Sequence, residues 1–379
     1  MASHSSIWES DLQLFEMLPS VAVVIALAFM VNLLVLCTSV WHAQLSMDSN
    51  TGVQRNHVHP TPRIGGISVF LGALAGYVCI PAQSQNLLGP LLLASMPAFV
   101  FGLTEDLTKI VSVRTRLLAT MACGVIGYFL TGFSLTDVNV PGVDYLLGFG
   151  VVSVMFTAFA VAGVANAINI IDGMNGLASG VVLIILGSFA LMSHSLGDVA
   201  LMQTCIVLGA AVIGFMLLNW PFGKIFLGDG GAYFLGFSVA WTAVLLLWRH
   251  PQVSAWAPLL ICGFPVLEVL FSIKRRWGRG QSVGAPDRLH LHCLLKRRLV
   301  RRLLPGSTIL TRNSITGTIM WLVGMLPASI ALHYQTDTLT LSLGLGLCAL
   351  LYSAVHARLT QFHWCLVPFV DGASAKVPS

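Results

Sequence analysis

The chain reads as all-α, a polytopic membrane helix bundle of ten or eleven spans, and three observations predict it. Of its 379 residues 56% are hydrophobic and only 9% charged, against roughly 25% charged in a soluble domain. Such a chain cannot clothe itself in a water-facing surface. Its apolar residues fall in runs of the length, about 20 residues, that crosses a hydrocarbon core of about 30 Å. Its basic residues are confined to alternate gaps between those runs. That is the asymmetry of a protein threaded repeatedly through a bilayer.

Eleven candidate spans follow: 18–41, 64–82, 86–103, 117–132, 146–165, 176–193, 199–219, 232–249, 255–273, 314–334 and 338–357. The gaps are short, so consecutive helices pack antiparallel. The choice between ten and eleven turns on 86–103, which is short and holds Pro90 and Pro97. Residues 1–17 contain Glu9, Asp11 and Glu16 but no Lys or Arg. A secretory leader needs a basic start, so none is expected, and the N-terminus is placed outside. The inside gaps then collect 19 of the 20 Lys and Arg, leaving Arg249 alone outside, where the loops carry Asp137, Asp144 and Asp198. The chain forms one integral-membrane domain over 1–379, its spans filling about 18–357, with a disordered tail at 371–379. The eight cysteines lie singly, mostly within apolar runs and without a Cys-x-x-Cys pair. They read as buried, reduced thiols.

This threading gathers five polar segments on the inner face. They are Arg55–Gly66 with His57 and His59, Gly102–Lys109, Asn166–Gly176, Lys224–Gly231, and Pro286–His292. Glu105 and Asp106 are adjacent carboxylates at a helix end, costly to bury unless paired or metal-bound. They read as a solvated pair balanced by Lys109, Arg114 and Arg116, as a general base, or as oxygen donors to a hard cation. Asn166, Asn169, Asp172 and Asn175 recur every three residues, a spacing that shares a helix face. One such group would serve as an N-cap for the next helix; four exceed what capping requires. Asp229 lies among glycines at the start of a span, where it reads as a cap or as a Mg²⁺ ligand meeting phosphate at a helix N-terminus. Arg288, His290 and His292 suit a diphosphate, each cation offsetting its charge. The run from Lys296 to Arg302 is explained by attraction to anionic lipid heads. The parts together suggest Mg²⁺-assisted phosphate chemistry at a membrane surface.

Taken in order along the chain, these segments resemble the polyprenyl-phosphate N-acetylhexosamine-1-phosphate transferases, a superfamily that includes the phospho-MurNAc-pentapeptide translocases. The resemblance runs from Pro62-Arg-Ile-Gly-Gly to His290-Leu-His292-Cys-Leu-Leu. It is most specific at Asn166-x-x-Asn169-x-x-Asp172-Gly-x-x-Gly176-Leu and Phe226-Leu-Gly-Asp229. Pro286-Asp-Arg-x-His290-x-His292 is similar to the branch that uses UDP-GlcNAc or a related UDP-HexNAc.

The resemblance implies a glycosyltransferase that moves HexNAc-1-phosphate from a UDP-sugar to undecaprenyl phosphate, releases UMP and starts a lipid-linked surface glycan. It implies Mg²⁺, with Mn²⁺ as the alternative, held by Asp229 and Asn169. Asp106, with Glu105, is implied near the lipid phosphate, Asn175 at the uracil, and Arg288, His290 and His292 at the diphosphate. Asp172 is implied in the site without a defined role, and Asn166, Lys109 and Arg63 in substrate binding. The expected setting is a bacterial inner membrane with the C-terminus cytoplasmic, lipid and the two substrates as partners, no nucleic acid, and a homodimer as an option. Three departures from the family pattern stand out: Glu105-Asp106 replaces an Asp-Asp pair, Lys109 has the spacing of the peptidoglycan branch, and Cys293 replaces a third histidine. A transporter or flippase of a lipid-linked or nucleotide sugar, and a non-catalytic relative, are the competing readings.

Overall fold

The computed structural model describes residues 16–47, 61–280, 282, 287 and 289–361. Among these residues the regular structure is helical, with one isolated bridge between Met47 and Pro62. The helices are α1 (Leu18–Cys37), α2 (Ser39–Ser46), α3 (Gly66–Cys79), α4 (Ala82–Thr108), α5 (Val113–Thr131), α6 (Pro141–Leu147), α7 (Gly150–Ile171) and α8 (Leu177–Ser195). They continue as α9 (Val199–Asn219), α10 (Gly228–Arg249), α11 (Trp256–Ile261), α12 (Gly263–Trp277), α13 (Leu291–Leu295), α14 (Ile309–His333) and α15 (Thr338–Gln361). A π-helical turn, Lys296–Val300, extends α13.

Nine of these, among the described residues, are long and apolar enough to cross a membrane. The two remaining expected spans are helical in other forms. The first is α3, with only 14 residues. The other is split at Cys262 into α11 and α12, because Pro265 has no N–H to return to the Ile261 carbonyl. The doubtful 86–103 proves to be a 27-residue helix that carries both prolines.

Helix α10 is the axis. It is apolar on every side, and Trp241, Phe234 and Phe237 are fully buried, as a helix enclosed by others should be. Phe234 meets Phe70 edge-on, and Phe70 stacks on Phe99 at 4.5 Å, which ties α3 and α4 to it. Small residues bring the backbones close near its start. A Cβ on Gly102 would lie 2.7 Å from the Asp229 carbonyl carbon and the Gly230 Cα. The bundle's flanks are α1 and α15, whose Leu18, Met30, Leu34, Leu339, Leu343 and Leu350 are exposed, as lipid-facing side chains would be.

The two ends of the bundle differ sharply. At the far end, Asp198 caps α9 by accepting from Leu201 N at 3.1 Å. It also receives a forked pair from Arg249 at 2.5 and 2.9 Å, and lies 2.9 Å from His250 Nε2. Burial works against its charge, yet Arg249 and His250 hold the carboxyl below its usual range. The single basic residue expected outside is therefore neutralised. Ser254 and Asn139 close the same end, joined at 2.9 Å. The cysteines are only partly as expected. All seven described ones are free, but Cys37 and Cys79 are exposed rather than buried.

Candidate active site

At the opposite end from Asp198, the starts of α3, α5 and α10 meet the ends of α4 and α7. The first N–H groups of a helix have no partner within it. In α10 two of them are met from another helix. Asp106, at the end of α4 and 1% exposed, accepts from Asp229 N at one carboxylate oxygen and from Gly230 N at the other, both at 2.9 Å. Gly228 makes this approach feasible. Its φ is +73°, and a Cβ there would sit 2.5 Å from Asp106 Oδ2. The chain entering α3 is laid alongside, with Gly65 N and Gly66 N donating to Phe226 O and Leu227 O at 2.9 and 2.8 Å.

That capping leaves the Asp229 side chain turned toward the other segments. Asn169 Nδ2 donates to its Oδ1 at 3.0 Å. Arg63 lies 3.7 Å from the same oxygen, and Arg116 pairs with Oδ2. The Arg116 guanidinium also lies 5.9 Å from the centroid of the Tyr233 ring. Asp172 ends α7 just outside the span. Burial pushes its carboxyl up to about 7, against the pull of Arg63 and of the Gly228 N–H. A carboxyl raised in this way suits acid–base work. Asn166 borders the cluster, taking a long 3.4 Å bond from the Tyr233 hydroxyl.

The histidine segment forms the adjoining wall. The imidazoles of His290 and His292 are stacked, 5.4 Å apart and 4° from parallel. His292 Nε2 stands 3.2 Å from where a Cβ on Gly173 would be, so this ring lies against the turn that follows Asp172. Asp287 anchors the segment through Arg275 at 2.7 Å, Ser272 at 2.9 Å and Leu289 N at 2.9 Å. These partners hold it well below the usual carboxylate range.

Several residues singled out from sequence behave otherwise. Glu105 accepts from Val111 N at 2.7 Å, closing the loop after α4. Lys109 adopts φ 60° and donates Nζ to the Asp106 backbone carbonyl at 2.7 Å. Asn175 is fully buried, its Nδ2 donating to Pro221 O at 3.1 Å and Ser314 Oγ at 2.6 Å. This packs α14 against the end of α9 through Nδ2, while the amide's Oδ1 has no hydrogen-bond partner. His292 is no cation either. Burial at 2% exposure holds the ring down at about 4. Arg288, with Arg55, His57 and His59, lies outside the described residues.

Three residues carry roles that their sequence context does not mark. Arg116 reads from sequence only as counter-charge. Asn219, whose Oδ1 accepts from Gly176 N at 2.7 Å and whose Nδ2 donates to Ile225 O at 2.8 Å, braces two loops from within an apolar run. Glu268 is the third; it is the one charged residue of 255–273, and an ionisable group inside a span is itself a functional signal. A recess of about 480 Å³ opens at the far end, beside Asp198, Arg249 and His250.

A divalent cation fits this donor set. Among the described residues no three His, Cys, Asp or Glu are grouped tightly enough to hold a metal alone. Mg²⁺, however, typically takes one or two protein carboxylates and completes its shell with water and substrate phosphate. The Asp229 carboxylate and the Asn169 amide are such hard-oxygen groups. Holding a cation between them requires a flip of the Asn169 amide to present Oδ1 and withdrawal of Arg116, both side-chain rotations.

The architecture and site are those of a membrane-embedded enzyme with an acid–amide cluster at one mouth of the bundle. Residues 88–247 match the family model described as glycosyl transferase family 4. The chain is 27% identical over 300 residues to the "probable undecaprenyl-phosphate N-acetylglucosaminyl 1-phosphate transferase" of Bacillus subtilis, covering 79% of this chain and 80% of that protein. It is 27% identical over 250 residues to the "undecaprenyl-phosphate alpha-N-acetylglucosaminyl 1-phosphate transferase" of Yersinia pestis, covering 64% and 68%. A "phospho-N-acetylmuramoyl-pentapeptide-transferase" of Geobacillus thermodenitrificans is 30% identical over 198 residues, covering 49% and 61%. Over these stretches the chain is similar to polyprenyl-phosphate N-acetylhexosamine-1-phosphate transferases.

Proposed function

We propose that the protein transfers a HexNAc-1-phosphate from a UDP-sugar to undecaprenyl or a related polyprenyl phosphate, in the inner membrane and at its cytoplasmic face. A lipid-phosphate oxygen forms a bond to the β-phosphorus of the donor. The bond from that phosphorus to the bridging oxygen breaks, and UMP leaves with its electron pair. Longer coverage of the two N-acetylglucosaminyl relatives than of the pentapeptide one favours UDP-GlcNAc as the first donor to try.

One observation carries this reading: Asp106, Asn169, Asp172, Asp229 and Arg63, from four segments far apart in sequence, form a single polar cluster at the helix ends. Phosphoryl transfer needs little beyond positioning and charge neutralisation. Asp229 and Asn169 would hold Mg²⁺, which when bound neutralises charge on the diphosphate. Arg63 and Arg116 exchange their pairing with Asp229 for phosphate oxygens as substrate enters. Asp106 fixes the start of α10, and Asp172 holds a proton beside the lipid phosphate. His290 and His292 bound the diphosphate, contributing hydrogen bonds; His292 adds no charge.

UMP release by the purified protein, supplied with undecaprenyl phosphate, MgCl₂ and a panel of UDP-HexNAc donors, tests it. One donor should yield UMP dependent on both lipid and metal, and Asp229→Ala should lower the rate about a hundredfold or more. UMP formed equally well in EDTA would overturn the metal role, and no UMP from any donor would overturn the reaction.

A further inference from the structure

Glu268 is the one acid in an apolar run, is 0% exposed and lies two turns before the basic end of α12. A carboxylate there is costly unless hydrogen-bonded and paired. It is both. Its Oε1 is 2.8 Å from His290 Nδ1, and its two oxygens lie 3.1 and 3.2 Å from Leu291 N. Because the carboxylate already accepts the Leu291 N–H and has no proton to give, the hydrogen between it and the ring belongs to Nδ1. That leaves Nε2, on the other side of the imidazole, as the ring's one atom for a ligand. The stack of His290 on His292, with His292 against Gly173, joins this pair to the turn that follows Asp172.

We propose that Glu268 is a positioning residue for the transfer reaction. By holding His290 Nδ1–H from inside the bundle it fixes the ring's orientation and offsets the charge of the doubly protonated ring, whose Nε2–H donates to a phosphate oxygen of the donor. The same bonds join α12 to the start of α13, so the broken span and the histidine segment act as one unit. The proposal rests on the transferase reading. Partners of this kind behind a ligating histidine typically contribute about 10- to 100-fold in activity.

The test is a double-mutant cycle on the full-length protein, with kcat and KM measured for Glu268→Gln, His290→Ala and the pair. We expect Glu268→Gln to lower kcat by about 10- to 100-fold with KM nearly unchanged, and to cost nothing further when His290 is already alanine. A rate within twofold of wild type, or an equal loss in both backgrounds, would overturn the role. If Glu268→Gln fails to accumulate in membranes, ¹⁵N NMR of histidine-labelled wild type in nanodiscs reads the ring's protonation without turnover. A proton on His290 Nδ1 supports the proposal, and its absence overturns it. Wild type that releases no UMP would bring down the transferase reading and this role together, whereas the other outcomes bear on Glu268 alone.

Discussion

Adjacent carboxylates need not share a task. Asp106 turns inward to cap α10, whereas Glu105, one position earlier, turns to the Val111 N–H. Asp106→Asn replaces one acceptor oxygen with a donor facing an N–H, and should cut turnover by about two orders of magnitude, a loss of several kcal/mol. Glu105→Gln keeps an acceptor for Val111 and should stay within a few-fold of wild type. Equal losses in the two variants would show that Glu105 acts in the site. His292 carries a pH signature. Its ordinary value of 6.5 is lowered to about 4 by burial, so the unfolded chain takes up a proton before the folded one does. The stability it contributes is fully present above about 6.5 and is lost as pH falls toward about 4, by about 3 kcal/mol at most. Thermal unfolding in detergent between pH 7 and 4 should show this fall in wild type and a weaker one in His292→Gln.

At the scale of elements, the acid cluster is as exact as the approach of α4 and α3 to α10. Gly102 faces backbone rather than a yielding side chain at 2.7 Å, so even a methyl group must displace the α10 start or the α4 end. Overpacking of this kind costs about 1–3 kcal/mol, and here the displaced atoms carry Asp229. Gly102→Ala should therefore lose at least about tenfold in kcat, since about 1.4 kcal/mol is a factor of ten, while still accumulating in membranes. Wild-type kcat in that variant would show that the contact relaxes away from the site. The broken α11–α12 span is the second such element, its kink set by one proline and its inner half held to the histidines by Glu268.

For the whole molecule, charge placement and geometry agree. The basic gaps lie at the end that holds Asp106, Asp172 and Asp229, while Asp198 and its partners lie at the other end of the 22-residue α10, roughly 33 Å away. Single cysteines in a cysteine-free background give the orientation. An impermeant maleimide should label position 137 in intact spheroplasts and position 224 only after lysis; the reverse would invert the topology. The helical bundle was legible because each span is a long run whose apolarity is repeated about twenty times over. Asp106, Asn169 and Asp229 were legible because each stands in a cluster of polar residues and glycines between apolar runs. Glu268 and Asn219 were not singled out, since one polar residue hardly alters the average of an apolar run. Nor could spacing reveal that Asn175 turns into the packing, because periodicity gives a side chain's face but not its partner.

The cap on α10 has a bearing on how the protein comes into being. A ribosome releases α4 long before α10, with 123 residues separating Asp106 from Asp229. Through that interval the acid waits at the membrane's edge without the backbone it is to receive. Only when α10 slides in beside α4 are the acid's oxygens and the new helix's open amides satisfied, and by the same event. The acid cluster thus arrives with a late act of assembly, and a nascent chain halted before α10 lacks it.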